Sequence, residues 1–298
     1  MNVRAQICRL PDGRRLHLHD GPIDLIIEAF GLPAEIEHAY AAATDRFVSI
    51  LDELCAELSF LRRGVTQDSD RPQGIVARKM LAAVQPYAAR HFITPMAAVA
   101  GAVAEEILGA MLSPGSLSRA YVNNGGDIAL HLLSGETFNV GMVERPDRPS
   151  LFGTARISGD DLIRGIATSG WRGRSFSLGI ADAVTVLADT ASAADAAATI
   201  IANAVDLADH PGIRRARACD LAPDSDLGER LVTTSVAPLS SNEIRQALDS
   251  GIREAELSLT LGLIHSAAIH LQGEIRTVGA LAPNALMLSS TSGSLVHA

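Results

Sequence analysis

Asp195 and Thr199 stand four residues apart in Ala194-Asp195-Ala196-Ala197-Ala198-Thr199. On a helix that spacing stacks a carboxylate and a hydroxyl on a single face, and two hard oxygen donors so placed can hold a cation of the magnesium type. The same residues admit a second reading. Ser192-Ala193-Ala194-Asp195 fits a capping box, in which the serine hydroxyl bonds the amide three residues on and the aspartate reaches back to the amide of the cap. Spacing alone leaves both open.

Other stretches also carry chemistry with an ordinary structural reading beside it. Asn123-Asn124-Gly125-Gly126-Asp127 lies between apolar runs and favours a tight hairpin turn, while its glycines would let a phosphate or a ring approach the backbone. Ile166-Ala167-Thr168-Ser169-Gly170 offers hydroxyls and amides that can bind an anion or simply close a loop. Asp127 and Asp182 are candidate general bases on position alone, and each equally suits a turn or cap. His17 and His19 would share one face of a strand, but no third ligand lies near them in the sequence, so a solvent-facing or hydrogen-bonded pair is expected. The basic cluster from Ile213 to Arg217 reads as a solvated strand or loop face, with an anion or phosphate contact as the lesser alternative.

These residues need elements to position them. Ala183 to Ala188 has the length and β-branched content of a buried strand and runs into an alanine-rich helix that carries Asp195 and Thr199. A hairpin is expected from Val3 to His19 around Pro11-Asp12-Gly13, with Ile23 to Ile27 continuing its sheet. Threes and fours of apolar residues predict helices over Pro33 to Leu61, Ile75 to Arg90 and Ser241 to Leu263. Val65 to Gly74, with Asp68 and Asp70, reads as a loop. The small-residued segment Phe92 to Glu106 reads as a helix buried against backbone, or one whose first turn is left bare for a ligand. Further strands are expected at Arg119 to Val122, Ile128 to Leu133, Thr137 to Val143, Leu151 to Ile157, Ile213 to Cys219 and Arg230 to Val236. A closing hairpin follows over Ala267 to Val278. Alternating strands and helices with hairpins at both ends predict an α+β fold, mixed β-sheets with packed helices. Residues 1–282 are read as a single domain and residues 283–298 as a loosely ordered tail.

The whole chain sets outer bounds. Its 298 residues are enough for a sizeable core, and 47% hydrophobic with only 4% aromatic content suits alanine-rich helices packed closely on a sheet. A formal net charge of −9 argues against nucleic acid or an anionic membrane as partner. Cys8, Cys55 and Cys219 lie in no paired pattern and suit a reducing compartment. The beginning lacks a secretory signal, and no apolar run reaches the length of a membrane span, so the cytoplasm is expected.

Taken in order, Thr94-Pro95-Met96-Ala97-Ala98-Val99-Ala100-Gly101, Asn123-Asn124-Gly125-Gly126-Asp127, Ala167-Thr168-Ser169-Gly170 and Gly179 to Ala188 resemble the uncharacterised bacterial and archaeal family related to ApbE. ApbE proteins are magnesium enzymes that cleave FAD and attach FMN to a Thr or Ser of a flavoprotein. The resemblance implies two related β-α-β halves with the site between them. It further implies that Asp195, Thr199 and the carbonyl of Ala98 hold magnesium, and that Asn123, Gly125, Gly126, Thr168, Ser169 and Gly170 line the flavin nucleotide site. A helix from Pro95 to Leu112 in the core would place Ala98 near the helix of Asp195.

Two departures from the transferases matter. Gly101 stands where they carry a lysine, and their H-x-x-D-P-x-T-G segment is absent, with Asp182 its one remnant. The expectation is therefore a magnesium-dependent enzyme acting on FAD, another flavin or a related nucleotide, FMN transferase-like or pyrophosphatase-like. The alternative is a non-catalytic protein that keeps the scaffold to bind a small ligand or a protein partner, in the setting of sulfur assimilation. A homo-oligomer is compatible with either.

Overall fold

The computed structural model describes residues 4–66, 71–143, 151–279 and 295–297. Asp68, Asp70 and most of the C-terminal tail lie outside them. The first half begins with the hairpin β1 (Gln6–Arg9) and β2 (Leu16–Asp20), joined through Gly13 at positive φ, and continues into β3 (Ile23–Phe30). The helical excursion α1 (Pro33–Ala56), α2 (Leu58–Leu61), α3 (Ile75–Val84) and α4 (Val99–Leu112) then returns to β4 (Arg119–Asn124) and β5 (Asp127–Leu132). Proline at position 86 removes an amide and ends α3 earlier than its periodicity suggests, leaving a 3₁₀ turn over Gln85–Tyr87. Strands β6 (Thr137–Val143) and β7 (Leu151–Ser158) form a separate hairpin.

The second half repeats the plan. Strands β8 (Gly165–Ser169) and β9 (Ala183–Ala188) lead into α5 (Ala191–Ala204). The small ribbon β10 (Ile213–Arg217) and β11 (Leu231–Val236) follows, with α6 (Ala218–Leu221) between its strands. Helix α7 (Ser241–Thr260), started by a Ser240–Glu243 capping box, returns to the hairpin β12 (Ser266–Leu271) and β13 (Glu274–Gly279). The last described residues form β14 (Leu295–His297).

One nine-stranded sheet, β1-β2-β3-β4-β5-β8-β9-β12-β13, runs through both halves. The fold is α+β as expected. Every pairing in the large sheet is antiparallel, and among the described residues the parallel pairing is confined to β14 against β6 in the three-stranded sheet. In each half the helical excursion returns the chain to the strand beside the one it left, pointing the other way: β4 pairs with β3, and β12 with β9.

Alternation along the strands sorts the core into layers. Leu25, Ile27, Ala120 and Val122 meet α1 and α4 on one face, while Val184, Val186, Ala267 and Ile269 meet α5 and α7. On the opposite face Tyr121, Leu130, Ile166 and Leu187 are covered by Phe138, Val140 and Ile157 of the β6–β7 hairpin. Strand β9 is buried on both faces, which accounts for its nearly unbroken apolar sequence, Thr185 being its one polar residue.

The sequence reading finds no apolar run of membrane-span length, yet the stretch Pro95–Leu112 reaches 18 residues, because its small alanine and glycine residues are apolar without looking like a continuous hydrophobic run. Here it is the central core helix, packed against α1, α3, α5 and the sheet. Its contact with α5 is backbone on backbone: a Cβ at Gly101 would lie 2.3 Å from the Ala191 carbonyl oxygen. Gly165 of β8 is as tightly placed against the same turn, since a Cβ there would lie 2.0 Å from the Thr190 carbonyl carbon. The first turn of α5 is thus held between two glycines, and no lysine can occupy position 101.

Gly101→Ala is expected to lower the unfolding free energy by about 1–3 kcal/mol. Gly109→Ala on the same helix, where an added Cβ meets nothing within 4 Å, should be neutral or slightly stabilising. Urea unfolding of both variants checks this, and equal midpoints would refute the crossing.

Candidate functional site

The crossing of α4 and α5 sets the positions of two carboxylates. Helix α4 begins at Ala98, which has no side chain able to cap it. Its orphan amides are served from the neighbouring helix: the Gly101 amide donates to Asp195 Oδ2 at 3.1 Å, and the Ala100 amide also bonds the Asp195 carboxylate. In return Glu105 of α4 accepts the Ser192 amide at 2.6 Å in the first turn of α5. Each antiparallel helix therefore caps the start of the other, and each carboxylate lies at the positive end of a helix dipole.

The Ser192–Asp195 capping box does not form. Thr190 is the N-cap of α5 and accepts the Ala193 amide, so the helix starts two residues before the box requires, and Asp195 is released to serve α4.

A cavity of about 360 Å³ opens beside these helix ends. Asp127, Asp195, Asp226, Asn124, Thr168, Ser169 and Thr199 bring polar atoms to it, with Gly125 and Gly170 as backbone walls. Met96, Ala97, Val99, Phe176 and Leu227 form an apolar side, and Arg174 supplies a cation. It lies where the halves of the sheet meet. Strands β5 and β8 pair only through Ile128↔Ile166 and Ala129↔Gly165. Beyond Ile128 the ladder stops, and the Thr168 amide turns to the Asp127 carboxylate at 3.3 Å.

The β4–β5 turn has Gly125 and Gly126 at φ 66° and 114°, the conformation of a two-residue primed hairpin. Asn123 closes that turn by accepting the Gly126 amide at 2.8 Å and does not line the cavity. Its neighbour Asn124 does, donating to the Ala100 carbonyl at 3.1 Å. Gly126 also stays outside the lining, whereas a Cβ at Gly125 would strike the Arg174 guanidinium 1.8 Å away. Thr168 shares its hydroxyl with Thr185 of β9 at 2.9 Å. Ala98 is fully buried with Ala194, Ala197 and Ala198 of α5, and its neighbours Ala97, Val99 and Ala100 reach the cavity instead.

Asp182 is placed elsewhere. Its carboxylate accepts from Trp171 Nε1, Arg172 Nε and the Gln272 amide, at 3.2, 2.7 and 2.7 Å. These bonds tie the loop after β8 to the β12–β13 turn, where Gln272 has positive φ. Sequence reasoning missed Asn124, Arg174 and Asp226. Asp226 accepts a hydrogen bond from buried Thr94 at 2.5 Å, across 132 residues of chain that no spacing rule connects.

The electrostatics are uneven. Asp127 and Asp195 are surrounded by protein while keeping an edge on the cavity, and burial pushes the Asp127 carboxyl up to about 7 despite the Thr168 amide and Arg174. Burial raises Asp195 well above the usual carboxylate range, and the charge of Asp127 raises it further against the pull of the α4 amides. Two carboxylates thus face one cavity without a full complement of positive charge, which is the setting of a functional site.

Against known proteins, a family model described as "AbpE bacteria" matches residues 7–277. The chain belongs to that family. UPF0280 proteins of Methanopyrus kandleri and Methanococcoides burtonii are each 38% identical over 149 residues, half of this chain and 56% and 58% of theirs. A UPF0280 protein of Methanothermobacter thermautotrophicus is 42% identical over 113 residues, 37% of this chain and 42% of its own. The chain thus spans about half the length of the curated relatives it matches. Among solved structures, the flavin transferase ApbE from Vibrio cholerae, in a histidine-to-glycine variant, aligns with a TM-score of 0.49 and 12% identity, covering 95% of this chain and 99% of that one.

The raised carboxyls give this AbpE-type cavity a pH signature. Between about pH 4, where an unfolded aspartate ionises, and pH 7, the folded carboxyls hold protons that the unfolded chain has released. Stability therefore falls as pH rises through this window. Urea unfolding in metal-free buffer should show that decline, and Asp127→Asn should flatten it and stabilise the protein on its alkaline side. An unchanged slope in the variant would refute the assignment.

Proposed function

We propose that the chain is a magnesium-dependent enzyme acting on a flavin or a related nucleotide, with FMN transferase-like or pyrophosphatase-like chemistry. The observation that carries this is the pair of raised carboxylates, Asp127 and Asp195, on a cavity with an apolar wall at one side and Arg174 at the other. The likeness of the motifs to ApbE proteins adds the flavin and the metal.

The donor set suits magnesium. It is all oxygen, from carboxylates and the Thr199 hydroxyl, and the unfavourable charge on Asp127 and Asp195 is what a divalent cation would relieve. Asp195 and Thr199 would hold the ion. Magnesium keeps several waters and shares phosphate oxygens, so a closed protein cage is not required. When bound, it would neutralise charge building on the phosphate oxygens as a pyrophosphate bond breaks.

The other roles fall to the chain itself. Asp127, held by the Thr168 amide and raised to about 7, can take a proton from a nucleophile near neutral pH. Arg174, exposed over Gly125, can attract and orient a phosphate. Phe176, Met96 and Leu227 offer a surface for a ring.

One observation favours the second reading, a non-catalytic ligand- or partner-binding protein. Position 101 is sealed by the α4–α5 crossing, so the transferase lysine has no place here.

Incubation with FAD and millimolar magnesium, followed by chromatography of FMN and AMP, separates the two readings. Metal-dependent cleavage is expected, abolished by chelator and by Asp195→Ala, with Asp127→Asn slowing it by about 10²–10⁴-fold. If the protein neither binds nor consumes FAD under these conditions, the second reading stands.

A further inference from the structure

The hairpin face at the edge of the large sheet carries a second constellation, independent of the cavity. His17 and His19 alternate along β2 and point away from the helices, while Leu16, Leu18 and Asp20 turn inward and are buried. Cross-strand pairing sets His19 directly opposite Asp24 of β3, and Cys8 of β1 directly opposite His17. The antiparallel ladder thus supplies what the linear sequence lacks, a third ligand five residues beyond His19 on the next strand. Among the described residues, this is the one group of three His, Cys or carboxylate side chains whose ligand atoms all lie within 4.8 Å of one another.

We propose that His17, His19 and Asp24 form a binding site for a divalent transition-metal ion of the zinc class, with its fourth position open to water. Two imidazoles and a carboxylate are the donors zinc prefers, and magnesium avoids such a nitrogen-rich set. The nearest alternative is a plain hydrogen bond, since His17 Nε2 lies 2.5 Å from Asp24 Oδ1. That bond leaves His19 unexplained. Among the described residues no hydrogen bond engages the His19 ring, which lies at a centroid distance of 6.2 Å from that of His17.

A tetrahedral zinc at about 2.0–2.2 Å from each nitrogen or oxygen spaces its ligand atoms by roughly 3.3–3.6 Å. The pair at 2.5 Å would open and the others would close inward. These movements need only rotation of side chains that are partly open to solvent, 31% for His17 and 47% for Asp24. Cys8 acts from behind. Its sulfur is 3.8 Å from His17 Nδ1, the nitrogen turned away from Asp24, so it favours the tautomer whose Nε2 lone pair faces the ion.

The test uses the chain without a polyhistidine tag, titrated with zinc by calorimetry and with cobalt(II) as a visible-absorption probe of coordination. One equivalent of metal is expected at this site, with the intense absorption of four-coordinate cobalt. His17→Gln/His19→Gln and, separately, the isosteric Asp24→Asn should each abolish that equivalent while circular dichroism stays unchanged. Cys8→Ala should weaken it by about tenfold. Asp195→Asn should leave it in place, which separates this site from the cavity whatever becomes of the magnesium reading. Wild-type protein that takes up no zinc, or a double variant that binds it as tightly as wild type, overturns the proposal.

Discussion

The structure depends on two helices meeting backbone to backbone. The first turns of α4 and α5 approach so closely that Gly101 has no room for a Cβ beside Ala191. At that distance side chains cannot separate the helix ends, and the orphan amides of each must be met by the other. Asp195 and Glu105 do so. Small residues follow as a consequence, which is why α5 reads as nearly continuous alanine and the start of α4 as alanine, valine and glycine. The aromatic-poor composition is thus a packing requirement of the centre of the molecule, where the site is built.

That arrangement also creates the electrostatic tension in the cavity. A carboxylate that caps a helix is normally stabilised in its charged form, yet Asp195 is raised because desolvation and Asp127 outweigh the two amides. Asp127 is in a related position, replacing a missing ladder bond between β5 and β8 with its own oxygen. Each aspartate thus repairs a defect in the backbone hydrogen-bond pattern, one at a helix start and one at a sheet junction. The repairs bring like charges together. Binding a cation or a protonated group there would relieve unfavourable energy, whereas a bare hydrophobic pocket would offer no such gain.

Much of this was legible in the sequence because local pattern and tertiary role agree. The buried strand Ala183–Ala188, the helix after it, the Asp-Gly hairpin and the long amphipathic α1 all follow from periodicity and turn chemistry. What was not legible depended on the placement of distant segments. Whether Asn123 or Asn124 faces the cavity is decided by the pleat, which turns successive residues to opposite faces. Asp226 and Arg174 come from loops with no period to read. The cap of α5 moved to Thr190 because its amides had a second acceptor in Glu105, a partner 87 residues away. Asp182, a plausible base from its position, has all its oxygens engaged in holding a turn.

The antiparallel topology explains why chemistry collects at a seam. Two copies of a hairpin–helix–hairpin plan stand side by side in one sheet, and within each copy the ladders are long: six register pairs join β3 to β4, and five join β9 to β12. Within the sheet, among the described residues, the copies pair only through the two register pairs of β5 with β8. A sheet cannot open in the middle of a full ladder without stranding amides and carbonyls, but it can part where few pairs exist to be lost. The cavity occupies that place, with the β4–β5 turn on one bank and the end of β8 on the other. Helices α4 and α5 roof it because they are the innermost helices of the two halves. A site formed this way draws its walls from both copies, so neither half could hold it alone, and residues more than a hundred positions apart must be set by the same sheet.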